Sequence, residues 1–326
     1  MVSENELIER VRRRFPSASS GLPTGIGDDA AVLRPRPGTE LVVTTDAFLE
    51  NVHFLRKTHP PDAAGYKAVA RATSDVAAMG ARARYLVLTL GLPREIAGVW
   101  LDRFLGGMAR AARRFGLTLA GGDTTVYPSF VASLTVIGEV DRGRAILRSR
   151  ARPGDVLYVS GKLGEAELGW RLVQAGLHHQ KRWAGFLRKH FYPEPRLALG
   201  AWLAARRYAS AMIDTSDGLS TDLKHLCTAS GVGAVLRSEQ IPLLRIPAGL
   251  GRLRLATLDL AMNGGEDYEL LFTVPRKLAV RLPRSVHGVP LTAIGEITRT
   301  RQMRLVDNEG NTKVLHPGGW DPFRSR

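Results

Sequence analysis

A two-domain α/β protein is the fold class that the sequence predicts, on three observations. The chain has 326 residues, room for two domains of ordinary size. Runs rich in β-formers alternate with helical patterns along its whole length. Around "RSRARPGDVLYVSG" the composition turns basic, Pro-Gly-Asp makes a turn, and a new strand begins at Val156, so the domains are expected at 1–147 and 148–326.

The elements follow in order. "MVSENELIERVRRRF" predicts a helix capped by Ser3, with Glu6 three residues on and Leu7, Ile8, Val11 and Phe15 along one face. "GIGDDAAVL" sets a Gly-x-Gly turn and two adjacent acids before a strand-like run. Strands are expected at "ELVVTTD", "ARYLVLTLGLP", "LTLAGGD" and "SFVASLTVIGEV", with helices over about 62–79 and 95–115 between them. In the second of these helices Trp100, Phe104, Met108, Ala111 and Phe115 recur at helical spacing, and Arg103, Arg110, Arg113 and Arg114 fall largely on the other side. The second half adds helices near 164–175, 195–206 and 218–230 and strands at "GAVLR", "YELLFTV" and "LTAIGEI". "VIGEV" and "AIGEI" close the β-rich part of each half alike, a weak hint of two related halves.

With 44% hydrophobic and 24% charged residues the composition predicts a soluble globular protein rather than a disordered one. Lys and Arg outnumber Asp and Glu by 46 to 31, which favours anionic partners such as phosphorylated small molecules, nucleic acid or a membrane surface. No stretch interleaves basic and aromatic residues, and no zinc-finger or RNA-binding motif occurs, so neither nucleic acid nor a membrane is expected as the partner. The single cysteine, Cys227, excludes an intrachain disulfide framework and fits a reducing compartment. The N-terminal stretch has no apolar signal core, and no run approaches the roughly 18 apolar residues of a membrane span. A cytoplasmic protein is the expectation.

The acids carry most of the functional information. Asp28 and Asp29, Asp46 in "VVTTDAF", Asp75 in "ATSDVAAMG", Asp123 in "LAGGDTT", Asp214 and Asp217 in "MIDTSDGL", and Glu266 and Asp267 in "NGGEDYEL" share one setting: small or hydroxyl neighbours beside an apolar element. Singly each has a structural reading, because Asp before a helix caps it and Gly-Asp makes turns. Together they point to a cation, since a carboxylate at the end of a buried strand must be paired or must bind one. Carboxylates with Thr hydroxyls and no Cys or His set suit a hard ion, Mg²⁺ rather than zinc, and Mg²⁺ on several carboxylates implies phosphates. The phosphate-binding loop G-x-x-x-x-G-K-[ST] and the protein-kinase signatures are absent, and "GIGDDA" lacks the last Gly of the dinucleotide fingerprint.

Taken in order, "ENELIERVRRRF", "GIGDDAAVL", "TTDAFLENVHF", "YKAVARATSDVAAMGA", "LAGGDTT", "RSRARPGD", "IDTSDGLSTDL", "GGEDYELLFTV" and "HPGGWDPF" resemble the thiamine-monophosphate kinase family over nearly the full chain. The resemblance implies the two-domain PurM-like fold shared with aminoimidazole ribonucleotide synthetase, selenophosphate synthetase and a hydrogenase maturation factor. Its N-terminal domain has a mixed sheet with helices, binds ATP and Mg²⁺ and pairs with a second copy; its C-terminal α/β domain completes the nucleotide and substrate site. Selenophosphate synthetase carries a Cys or selenocysteine in a glycine-rich N-terminal segment and the maturation factor a C-terminal Cys; here Cys227 lies within an expected helix and the sequence closes on "WDPFRSR". Aminoimidazole ribonucleotide synthetase stays the alternative within the fold, and a non-enzymatic basic nucleic-acid-binding protein the alternative outside it.

For the residues, the resemblance implies that Asp29, Thr44, Thr45, Asp46, Asp75, Asp123, Asp214 and Asp217 hold several Mg²⁺ ions, with Asp28 supporting its neighbour. Gly122, Asp123, Arg148 and Ser216 lie against the co-substrate ATP, and His53, Glu266 and Trp320 hold thiamine monophosphate. Structural rivals stand beside these roles: His53 as a partly buried strand residue, Glu266 as a helix cap, Trp320 as a closure of the core. One departure concerns the third expected helix, where relatives often carry an aromatic pair with Tyr second and this chain reads Phe104-Leu105, so an adenine-stacking ring is lost at Leu105. The implied reaction is phosphorylation of thiamine monophosphate by ATP through direct in-line transfer, with no general base, in a homodimer.

Overall fold

The computed structural model describes residues 4–15 and 20–323, so the expected Ser3 cap lies outside the described residues. The chain divides into two compact units, Met1–Val76 with Ala81–Gly143, and Ala77–Gly80 with Arg144–Arg326.

In the first unit the elements run α1 (Glu4–Arg14), β1 (Thr39–Leu49), α2 (Pro61–Ala78), β2 (Arg82–Leu92), α3 (Val99–Phe115), β3 (Thr118–Val126) and β4 (Val131–Asp141). The sheet order is β1-β4-β2-β3, with β4 antiparallel to both β1 and β2 and β3 parallel to β2. The parallel pair needs a crossover, and α3 supplies it. Its apolar stripe is buried from Leu101 to Phe115, and it stops at Gly116, whose φ of 75° and N–H to the Ala112 carbonyl form the left-handed cap that glycine favours. Phe104 and Leu105 are both fully enclosed, so this stretch of α3 is core. Phe104 joins Phe48, Phe54, Trp100 and Phe130 in an aromatic cluster with ring centroids 4.8–6.2 Å apart. The strand-like run after "GIGDD" reduces to one bridge, Val32 with Thr24, because the Gly27 turn folds the segment back on itself.

In the second unit β5 (Val156–Ser160), α4 (Glu165–Gln174), α5 (Ala184–Phe191), α6 (Leu197–Arg206), β6 (Ala211–Asp214), α7 (Leu219–Ser230), β7 (Gly233–Arg237), α8 (Thr257–Asn263), β8 (Leu270–Val274), α9 (Arg276–Ala279), β9 (Ser285–Val286), β10 (Val289–Thr298), β11 (Met303–Val306) and β12 (Thr312–Val314) follow in turn. Seven strands lie in the order β12-β11-β7-β10-β5-β8-β6, and β9 pairs with β10. All of "LLFTV" in β8 is buried, as expected for a strand covered on both faces. Leu271 joins one core with Leu219, Leu223 and Leu226 of α7, whereas Leu270, Phe272 and Val274 join the other with Leu199 and Leu203 of α6.

Candidate active site

In the first unit the site begins with a spacing match between β1 and α2. Thr44 and Asp46 are two residues apart on a strand and so share a face; Arg71 and Asp75 are four apart on a helix and share a face too. Two strand residues rise about 6.8 Å and four helical residues about 6 Å, so the pairs meet rung for rung. The Thr44 hydroxyl donates to Asp75 Oδ2 at 2.6 Å, and the Arg71 guanidinium lies 3.4 Å from Asp46 Oδ1. Thr45 points the other way: its hydroxyl accepts from Thr135 at 3.1 Å and lies 3.4 Å from Ser133, apart from those of Thr44 and Asp75.

Asp29 is exposed in the loop that Val32 closes by donating its N–H to the Thr24 carbonyl at 2.9 Å. Asp28 Oδ1 accepts the main-chain N–H of Asp29 at 2.9 Å, so one acid of the pair orients the other. A cavity of about 450 Å³ lined in part by Arg12, Thr24, Gly27 and Asp28 opens beside this loop. Asp123 is exposed on β3 and accepts the N–H of Thr124 at 2.8 Å. Gly122 has a structural requirement of its own: a Cβ there would meet the Leu88 carbonyl oxygen of β2 at 1.9 Å.

His53 sits in the turn after β1 rather than in a strand. The Leu49 N–H donates to its Nδ1 at 2.9 Å, so the neutral ring carries its proton on Nε2. Phe48 stacks on the ring at a centroid distance of 6.0 Å.

In the second unit β6 ends at Asp214, and residues 215–218 turn the chain into α7. Three later segments are tied to that turn. The Glu266 N–H donates to the Ser216 carbonyl at 2.8 Å, and the Trp320 N–H to the Asp217 carbonyl at 2.9 Å. Asp222, in the first turn of α7, accepts the Asp217 N–H at 3.2 Å. Burial, then the charges of Asp214 and Asp217, push the Asp222 carboxyl well above the ordinary range, and Arg148 acts in the opposite direction.

Glu266 holds a φ of 67° and Tyr268 one of 49°, a left-handed conformation that costs a side-chain-bearing residue about 1–2 kcal/mol. The acids between and beyond them fix this strained stretch. The start of α4 is capped by Asp267, which accepts the N–H groups of Gly164 and Ala166 at 2.6 and 3.0 Å. Burial pushes the Asp267 carboxyl up to about 7 against the pull of Lys189. Glu269, fully buried, takes hydrogen bonds from Ser160 at 2.6 Å, Lys189 at 2.7 Å and both arms of Arg196. Burial raises its carboxyl, but the Lys189 charge and the Arg196 bonds outweigh it and leave it below the usual value. His190 Nδ1 lies 3.5 Å from Glu266 Oε2.

The geometry thus joins Thr44 to Asp75 and Arg71 to Asp46 in one unit, and Ser216, Asp217, Glu266 and Trp320 in the other. Among the described residues no three His, Cys, Asp or Glu side chains converge as a preformed metal cage. The donors are carboxylates and a hydroxyl, and the charges of Asp214 and Asp217 act on a third acid, Asp222, so the residues fit Mg²⁺, a hard cation. Asp222, Arg71, His190 and Glu269 were not singled out by the sequence reading. Asp222 and Glu269 lie inside the motifs "IDTSDGLSTDL" and "GGEDYELLFTV", but only the fold reveals what they face.

The model of AIR synthase related protein, N-terminal domain, matches residues 27–140, and that of the C-terminal domain matches 152–308. The thiamine-monophosphate kinase of Salmonella typhimurium is 38% identical over 98% of both chains. Among solved structures, that of the thiamine-monophosphate kinase from Stenotrophomonas maltophilia aligns with a TM-score of 0.80 at 37% identity, covering 93% of this chain and 96% of that one. AaThiL complexed with AMPPCP and TMP aligns with a TM-score of 0.77 at 30% identity, covering 99% and 97%.

Proposed function

The chain belongs to the thiamine-monophosphate kinase family of AIR synthase related proteins, and from that premise we propose that it phosphorylates thiamine monophosphate with ATP to give thiamine diphosphate. The observation that carries the reading beyond likeness lies in the second unit. Glu266 and Trp320, the substrate candidates, are tied by single main-chain hydrogen bonds to Ser216 and Asp217, the nucleotide and metal candidates. A transfer between two bound phosphates needs that adjacency. AaThiL, at 30% identity, is complexed with AMPPCP, an ATP analogue, and TMP together.

A phosphate monoester with a second pKa near 6 is mostly dianionic at neutral pH, so its oxygen needs no general base to attack the γ-phosphorus in line. The obstacle is repulsion, roughly 4 kcal/mol for each pair of unit charges at 4 Å and an effective dielectric of about 20. Mg²⁺, when bound, supplies the positive charge that offsets this repulsion. In this reading Asp29, Thr44, Asp46, Asp75 and Asp123 are the metal candidates of the first unit, and Asp214 and Asp217 those of the second. Thr45, whose hydroxyl meets those of Thr135 and Ser133, stands apart from this set. The nucleotide candidates are Gly122 of the first unit and Arg148 and Ser216 of the second. His53 offers Nε2–H to the substrate phosphate, Glu266 accepts from the aminopyrimidine, and the Trp320 ring faces the cationic thiazolium.

Two further parts belong to the same reading. Leu41 and Val43 are 46% and 62% exposed on the outer face of β1, apolar area that a second copy would cover in a homodimer. The one thiol, buried Cys227, suits the cytoplasm, and among the described residues no helix is long and apolar enough to cross a membrane. ADP release that requires thiamine monophosphate tests the activity; ATP turnover indifferent to it would reject the reading.

A further inference from the structure

The β1–α2 ladder holds a cation of its own. Arg71 reaches Asp46 Oδ1 at 3.4 Å, and the next rung of the same ladder is Thr44 with Asp75. Both partners are withdrawn from solvent, with side-chain exposures of 19% for Arg71 and 29% for Asp46, so the pair is screened less than a surface ion pair. A guanidinium cannot shed its charge by titration in a protein, so Arg71 leaves Asp46 only by moving. One helical turn separates it from Asp75, which places a fixed positive charge beside two carboxylates assigned to the metal.

We propose that Arg71 is a resident counter-cation of this half of the site, occupying Asp46 when no divalent ion is bound and setting the concentration at which one displaces it. The inference rests on the reading of Asp46 as a metal ligand. Three consequences follow from charge alone. A divalent ion must break or stretch the Arg71–Asp46 pair, so it binds less tightly than Asp46 and Asp75 alone would allow. The metal-free fold keeps the Asp46 carboxylate paired, so loss of metal is tolerated. The guanidinium, once displaced, stays within reach of the anions that the metal brings.

Mn²⁺ is the probe, with the nucleotide-free full chain at low salt and the resonance of free Mn²⁺ as the readout. Arg71→Gln and Arg71→Met are expected to bind Mn²⁺ about tenfold more tightly than wild type, since a repelling unit charge is gone, and Arg71→Lys to stay near wild type. Added salt should narrow the gap. Asp46→Asn should weaken Mn²⁺ binding, and adding Arg71→Gln to it should restore little, because the two residues act as one pair. Thermal unfolding gives a second readout: the neutral variants should melt lower than wild type without metal and gain more from Mn²⁺. Equal or weaker binding in both neutral variants overturns the inference while a loss in Asp46→Asn leaves the metal reading standing. Unchanged binding in Asp46→Asn overturns both.

Discussion

The main-chain N–H of Trp320 donates to the carbonyl of Asp217 at 2.9 Å, which seats the C-terminal aromatic residue on the turn that carries two candidate ligands. Gly318 and Gly319 are held alongside by the hydroxyls of Ser220 and Thr221, each at 3.1 Å. The tether is made by the backbone, so the ring can be removed without cutting it. Trp320→Ala should raise KM for thiamine monophosphate by up to about tenfold, the value of a partly desolvated cation–aromatic contact, and change KM for ATP little. Steady-state kinetics with each substrate varied in turn checks this; equal rises in both constants would speak for a structural role.

The two rungs between β1 and α2 predict a different signature. Asp75→Ala and Asp46→Ala should each lower kcat at least about 100-fold at saturating Mg²⁺, because they remove charge that offsets phosphate repulsion. Their unfolding midpoints should fall by only a few degrees, since a single hydrogen bond or partly buried ion pair contributes on the order of 1 kcal/mol. Turnover unchanged in either purified variant would contradict the assignment.

His53 offers a test of substrate orientation. Its Nδ1 accepts the Leu49 N–H, and Nε2–H is the group proposed to meet the phosphate. His53→Ala should raise KM for thiamine monophosphate more than KM for ATP, and initial-rate kinetics that showed the reverse would remove His53 from the substrate site.

Asp267 supplies a prediction about pH. In the unfolded chain its carboxyl loses the proton near 3.8, whereas in the fold burial holds it to about 7. Between those values the native state binds the extra proton, so this group's contribution to stability is greatest in acid and falls as pH rises to about 7, by up to roughly 1.4 kcal/mol per pH unit. Asp267→Asn removes the titration and keeps an acceptor for the α4 N-terminus. Urea unfolding at pH 5 and pH 8 should therefore show the variant gaining on wild type at the higher pH. A difference between the two proteins that does not change with pH would contradict the account.

Much of this was legible before any coordinates. The helix expected over 62–79 spans Pro61–Ala78, because its apolar period is long and unbroken, and β1, β2 and β4 fall where alternating or apolar runs put them. The short elements α5, α8 and β12 were missed, since eight residues or fewer carry too little periodicity. Within the site, period two alone separates Thr45 from Thr44 and Asp46, a distinction that motif resemblance passes over. Long-range pairing accounts for the rest. That Glu269 is caged by Lys189 and Arg196 and that Arg71 faces Asp46 depends on how strands and helices far apart in sequence meet, whereas Asp222 meets Asp217 through the local turn into α7.

The central claim is that ATP gives its terminal phosphoryl group directly to thiamine monophosphate. Mass spectrometry of the product formed from thiamine monophosphate and ATP whose γ-phosphate oxygens carry a heavy isotope measures it most directly. The account predicts thiamine diphosphate bearing the labelled phosphoryl group, formed one for one with ADP and only when Mg²⁺ is present. Label released as free phosphate with thiamine monophosphate unchanged would contradict it.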